Sequence, residues 1–288
     1  MRNSINKIIL GSANFGLKYG FKNKKISNKE ISKILNLANI YGIKTFETSQ
    51  SYGDSEKKLG LLKKKKKFKF ITKISNLKKN ISHKEIIDIL NKSRIKLNVY
   101  KIDCIMFHDY REFIYNNFAL PKFFLKQKGK LFNKIGVSIY RPKELYNCLK
   151  FKKLDCIQIP YNIIDYRWNK VDFEKIKKKN KKIKIHVRSI FLRGMLPNRV
   201  KFLPKWFNKK NELQKELNEI KKKQKINLKQ ILFSFVYQQK WIDKITIGVS
   251  NKKQLIEIKK FLKLKKKIKF NNIVFNFISK KLLMPKYW

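Results

Sequence analysis

Apolar residues recur along this chain in two alternating rhythms. Short β-prone runs fall at residues 7–10, 43–48, 68–74, 102–108, 135–140, 154–160, 183–190 and 245–249. Between them, apolar side chains return every three or four residues, the spacing of a helix with one buried face. Ser27-Asn28-Lys29-Glu30 reads as a capping box opening a helix that carries Ile31, Ile34, Leu35 and Ala38 as far as Tyr41. Ser82-His83-Lys84-Glu85 opens another, with Ile86, Ile89, Leu90 and Leu97. Asp54-Ser55-Glu56 starts a short helix, with Gly60 as its stop. Further helices are expected over 112–128, interrupted or begun at Pro121, and over 142–149, 172–179, 211–222, 228–238 and 252–262.

Eight strands, each followed by a helix with no linker between, predict an α/β protein of one domain: a (β/α)8 barrel over residues 1–288, with 263–288 as a C-terminal extension. The pairs Ile102-Asp103-Cys104-Ile105 and Leu154-Asp155-Cys156-Ile157 echo each other at strand starts, as in a modular βα array. In a parallel barrel, ligands bind at the carboxyl ends of the strands. Glu47 and Tyr52 then follow strand two, Lys73 ends strand three and His108 ends strand four. Each has a dull explanation alone, but all four share one rim. A phenol beside an ammonium, a carboxylate and an imidazole makes an adjustable proton donor: the Lys cation stabilises the phenolate and is expected to lower the Tyr pKa, and the carboxylate holds the Lys. Such a donor suits carbonyl reduction if a hydride source lies opposite.

The charge changes this picture little. A formal net charge of +53 points first to nucleic acid, yet 64 of the 72 basic residues are Lys rather than the bidentate Arg, and the excess spreads over the whole chain. The runs 63–67, 177–182 and 265–267 fall in connections from helix to strand, on the barrel face opposite the reactive rim, and read as solvated loops. No specific nucleic-acid partner is expected. Three Cys without paired spacing argue against a disulfide framework or a zinc site. No signal peptide or membrane span is visible, so the expected location is cytoplasmic.

Residues 42–60, from Gly42 through Phe46-Glu47-Thr48 and Tyr52-Gly53 to Glu56, resemble the aldo/keto reductase signature. So do Ile71-Thr72-Lys73, Phe107-His108, Gly136-Val137-Ser138, Ile157-Gln158-Ile159-Pro160-Tyr161-Asn162 and Ile247-Gly248-Val249-Ser250, in the family's order. Leu10-Gly11-Ser12-Ala13-Asn14-Phe15-Gly16, the segment Val187 to Gly194 and the terminal Pro285-Lys286-Tyr287-Trp288 extend the match. The resemblance implies a barrel that binds NADPH or NADH without a dinucleotide-binding domain, in keeping with the absence of a convincing G-x-G-x-x-G. It implies Tyr52 as general acid, Lys73 as its modulator, Glu47 as the carboxylate partner and His108 as the group that orients substrate. Ser138 and Gln158 match positions that hold the nicotinamide carboxamide. Ser12, Ala13, Asn14, Ser189, Phe191, Gly194, Gly248, Val249 and Ser250 match positions around the cofactor, with Gln254 at its adenosine-phosphate end.

Two departures stand out. Glu47 replaces an Asp, and Gly248 and Gln254 stand where the 2′-phosphate is read; neighbouring Lys252 and Lys253 tilt the expectation to NADPH. The substrate is expected to be a small carbonyl compound or sugar, walled by Phe107, Trp168, Phe191, Leu192, Met195 and Trp206. The alternative is a cofactor-binding partner or sensor of the same fold with little catalysis.

Overall fold

The computed structural model describes residues 5–20, 24–63, 67–197, 199–263, 268, 270 and 275–284. Its eight strands, β1 (Ile8–Gly11), β2 (Thr45–Ser49), β3 (Lys69–Ile74), β4 (Ile102–Phe107), β5 (Phe132–Ser138), β6 (Cys156–Pro160), β7 (Lys184–Arg188) and β8 (Lys244–Gly248), close into one barrel in chain order. Every neighbouring pair is parallel, including β1 with β8. Around them run α1 (Ala13–Gly16), α2 (Asn28–Tyr41), α3 (Ser55–Leu62), α4 (His83–Leu97), α5 (Tyr110–Leu125), α6 (Pro142–Cys148), α7 (Phe173–Lys179), α8 (Lys210–Gln224), α9 (Leu228–Tyr237) and α10 (Lys252–Phe261). This is the expected (β/α)8 barrel.

Strand alternation divides the core in two. Outward residues such as Phe46, Phe70, Ile105, Phe107, Ile157, Ile185 and Val187 pack against the helices in the main cluster. Inward residues Ile9, Ile71, Cys104, Met106 and Cys156 fill the barrel itself. The echoed Asp-Cys pairs therefore meet in space: Cys104 Sγ and Cys156 Sγ lie 3.6 Å apart as free thiols. Gly136 passes between their strands where a Cβ would stand 2.5 Å from Cys156 Sγ, so β5 crosses there only without a side chain. A second cluster joins the loops after β6 and β7 to α8, α9 and the C-terminal segment through Ile163, Leu192, Leu213, Leu228, Phe275 and Leu282.

Some local expectations are corrected. Ser82 makes both bonds of its capping box. Ser27 accepts from the Glu30 amide at 3.2 Å, but the Glu30 carboxylate turns instead to the Lys252 amide at 2.7 Å, tying α2 to the start of α10. Gly60 does not stop α3; it lies within it, where a Cβ would meet Lys96 O at 2.1 Å, so it permits close crossing with the end of α4. The break in the fourth helical stretch is at Tyr115–Phe118, not at Pro121, with Asn116, Asn117 and Phe118 at positive φ.

Lys63 and Lys67 flank the connection into β3 and Lys181 and Lys182 lie in the one into β7, whereas Lys177 to Lys179 form the last turn of α7; Lys64 to Lys66, Lys265 to Lys267 and the Pro285 to Trp288 motif fall outside the described residues. The lysines of these runs are not all solvated. Lys177 Nζ bonds Asp243 at 2.8 Å, and the same carboxylate accepts from the Ile185 amide at 2.9 Å, pinning the start of β7. No described helix is long and apolar enough to cross a membrane.

Candidate active site

The pleat that turns Glu47, Lys73, Gln158 and Thr246 inward is the one that builds the barrel core, so a polar layer rests on an apolar floor. Lys73, 1% exposed, bonds Glu47 Oε1 at 2.6 Å. The second carboxylate oxygen accepts from Thr246 Oγ1 at 3.0 Å and from Gln158 Nε2. Burial by itself would raise the Glu47 carboxyl; the Lys73 charge and these donors outweigh it and hold the group below its ordinary value. Burial would likewise lower Lys73, and Glu47 together with Tyr52 more than reverses it. Both groups stay ionised. The longer side chain of Glu47 thus reaches the ammonium directly.

Above this pair, Lys73 Nζ stands 3.4 Å from Tyr52 Oη. The loop carrying Tyr52 is held by close backbone packing, since a Cβ on Gly16 would lie 1.8 Å from Tyr52 O. Ser55 Oγ, one turn on, donates into the first loop at Ser12 O (3.0 Å). The expected lowering of the Tyr52 pKa is not what results. Burial raises it, the Lys73 cation pulls it down only in part, and the Glu47 charge adds to the rise. The ammonium is already committed to Glu47, so its effect on the phenol is partial. Tyr52 is therefore a protonated donor across the neutral range.

His108 lies one residue past β4, with Nδ1 at 3.4 Å from Ser49 Oγ and its ring edge-on to Tyr52. Burial, with Lys73 and Arg188 adding to it, lowers its pKa to about 3. It is neutral at physiological pH.

The other expected site residues fall into two sets. Ser138 Oγ and Gln158 Oε1 are 3.4 Å apart on β5 and β6, both buried beside Glu47. Asn14, after β1, donates to Val249 O at 3.0 Å and to Ser250 Oγ at 3.1 Å, while Gln254 accepts from the Ser250 amide at 2.8 Å. Ala13, half-buried in α1, lies between Ser12 and Asn14. Ser189 and Gly194 frame a loop after β7 in which Ser189, Leu192, Arg193 and Gly194 have positive φ, and Phe191 packs against both core clusters. Two of these residues have committed side chains. Ser12 Oγ donates to Glu47 O at 2.9 Å, and the Val249 side chain is fully buried in the core, leaving only backbone to a ligand.

Two of the expected substrate walls are corrected. Phe107 points outward and packs on Phe113 and Phe124, and Trp168 is buried in the main core. Leu192 and Met195 belong to the second cluster, while Trp206 is largely exposed with Lys281 4.7 Å over its ring.

The aldo/keto reductase family model matches residues 7–276. The chain belongs to the aldo/keto reductase family. A search of curated proteins finds no match. Among solved structures, an aldo-keto reductase from Bacillus halodurans in its holo form is similar with a TM-score of 0.71 at 17% identity, covering 90% of this chain and 87% of that one. A glycerol dehydrogenase from Gluconobacter oxydans has a TM-score of 0.67 at 20% identity, again over 90% and 87%. A thermostable aldo-keto reductase bound to the inhibitor epalrestat has a TM-score of 0.69 at 19% identity over 90% of each chain. At these identities the likeness speaks for the fold.

Within this family barrel, three residues at the mouth escaped sequence reasoning. Thr246 completes the shell of Glu47, Ser49 contacts His108, and Arg188 ends β7. Extending the inward alternation from the motif residues along β8, β7 and β2 reaches Thr246, Arg188 and Ser49.

Proposed function

We propose that the protein reduces the carbonyl of an aldehyde or ketone, a sugar carbonyl included, with NADPH or NADH as hydride donor. The observation that carries the reading is the 3.4 Å contact of Tyr52 Oη with a Lys73 ammonium that is itself locked to Glu47. A proton donor held beside a fixed cation protonates the carbonyl oxygen as negative charge grows on it, and the cation stabilises the phenolate left behind. The 3.4 Å contact of Nδ1 with Ser49 Oγ holds the His108 ring beside Tyr52, where it helps to align the carbonyl. The reduced nicotinamide, when bound, supplies the hydride.

The residues present fit that cofactor. Asn14 Oδ1 is buried without a partner, and a Cβ on Gly248 would meet nothing within 4 Å, so the segment after β1 offers an unmet acceptor and the end of β8 offers room. Ser138 and Gln158 would hold the carboxamide; Ser189, Phe191, Gly194 and the segment from Gly248 to Ser250 would flank the rest. Gln254, Lys252 and Lys253 near the start of α10 would meet the adenosine end. The two lysines favour a 2′-phosphate, and the Glu30 carboxylate on the Lys252 amide opposes it.

The test is oxidation of NADPH and of NADH by purified protein against aldehydes, ketones and sugar aldehydes. Sustained turnover that falls about 10²-fold or more in Tyr52→Phe, with cofactor binding kept, is expected. Cofactor binding without turnover of any carbonyl would point instead to a binding protein, and unchanged turnover in the variant would remove Tyr52 from the mechanism.

A further inference from the structure

Arg188 is the inward residue at the carboxyl end of β7, half-buried at the barrel mouth. Its guanidinium lies 4.5 Å from the centre of the Tyr140 ring, and Nη1 donates to Ser189 Oγ at 3.2 Å. No Asp or Glu of the described residues forms an ion pair with it. That contrasts with Lys73, whose charge Glu47 matches, and with Arg167, whose guanidinium bonds Asp165 at 2.5 Å. Arg188 acts on the same reacting groups: its charge reaches Tyr52, Lys73 and His108.

A half-buried cation without a carboxylate partner carries desolvation that an anion would offset. Stacking on Tyr140 covers a face of the guanidinium and leaves its edge, the side that carries the N–H donors in carboxylate geometry. The charge balance selects the anion. With Lys73 matched by Glu47 and His108 neutral, Arg188 is the charge among these groups left without a carboxylate, which suits a monoanionic carboxylate better than a dianionic phosphate.

We propose that Arg188 anchors the substrate, and that the carbonyl compound reduced here carries a carboxylate within reach of its reacting carbon. This rests on the reductase reading, from which the tests below separate it.

Isothermal titration calorimetry of the purified full chain with benzoate and with its neutral isostere benzamide, with and without NADP+ or NAD+, reads the anchor without turnover. Benzoate is expected to bind about tenfold or more tighter than benzamide. Arg188→Met should erase that advantage and leave benzamide unchanged, and Arg188→Lys should keep part of it. Equal affinities in the wild type, or an advantage that survives in Arg188→Met, overturns the proposal; the wild-type comparison decides even where that variant does not fold. Kinetics with succinic semialdehyde and its methyl ester then compare kcat/KM. A carboxylate preference that collapses through KM in Arg188→Met, while the ester and the cofactor Kd stay within about threefold, supports the anchor. Turnover of both compounds with no preference overturns the anchor alone. Weakened cofactor binding with the preference intact assigns Arg188 to the cofactor and overturns it too. Failure to turn over any carbonyl overturns the reductase reading, and the calorimetric result stands by itself.

Discussion

Glu47 shows how much one side chain decides here. Its carboxylate takes Lys73 on one oxygen and Thr246 and Gln158 on the other, all in a layer with almost no solvent. Glu47→Gln would leave a buried ammonium unmatched, so we expect a loss of about 3–5 kcal/mol in stability by denaturant unfolding, together with a lower kcat. Glu47→Asp keeps the charge and should lose less on both counts. The pH window follows from the signs. The Glu47 contribution is complete above its unfolded value of 4.5 and is lost as pH falls through its lowered folded value; that of Lys73 is complete below 10.5 and is lost as pH rises through its raised one. The pair therefore supports the fold throughout the range between. His108 works in one direction: with a folded value of about 3 against 6.5, it stays neutral where the unfolded chain is protonated, so its contribution falls as pH drops from 6.5 towards 3. An imidazole titration followed by NMR should place His108 near 3, and kcat should show no inflection near 6.5. An inflection there would return His108 to the role of an ionising group.

Among the elements, close crossings matter more than helix propensity. Gly60 faces the backbone of the last turn of α4 and has no flexible side chain to displace. We expect Gly60→Ala to cost roughly 1–3 kcal/mol in urea unfolding even though Ala is the better helix former, because the overpacking exceeds the propensity gain. A neutral or stabilising result would mean that α3 and α4 separate freely. Ser82→Ala, which removes a complete capping box, should cost about 1 kcal/mol. In the Ser27 cap, Glu30 has been diverted to α10, so Glu30→Gln is expected to act on cofactor choice. It should tighten NADPH relative to NADH, read as the ratio of their Kd values by fluorescence titration.

For the molecule as a whole, the net charge of +53 is carried mainly by lysines spread along the chain. Replacing Lys63 to Lys67 by Gln should leave kcat/KM nearly unchanged, since the segment leads into β3 from the face opposite Tyr52. Binding to DNA or RNA should be weak, non-specific and steeply dependent on salt. Sequence-selective binding that survives high salt would show that the basic surface has a partner of its own. Lysines that hold carboxylates are a different class. Lys177→Gln should destabilise the barrel by releasing Asp243 at the joint of β7 and β8, measurable as a lower Tm.

The barrel, its strand order and the four reactive residues were legible because they depend on local rules: a period of two in strands, a period near 3.6 in helices, and a reactive side chain at the end of each of several successive strands. What the sequence by itself determined was which residues share the rim. Only the tertiary structure decided what they do to one another. Burial is a property of the closed barrel, and it set the balance that keeps Tyr52 protonated and His108 neutral. Closure likewise brought Cys104 to Cys156 and Thr246 to Glu47, pairs separated by 52 and 199 positions. It also turned Phe107 away from the mouth while turning Arg188 towards it. The inward or outward sense of a strand residue depends on register, and register is settled by the packing of all eight strands together.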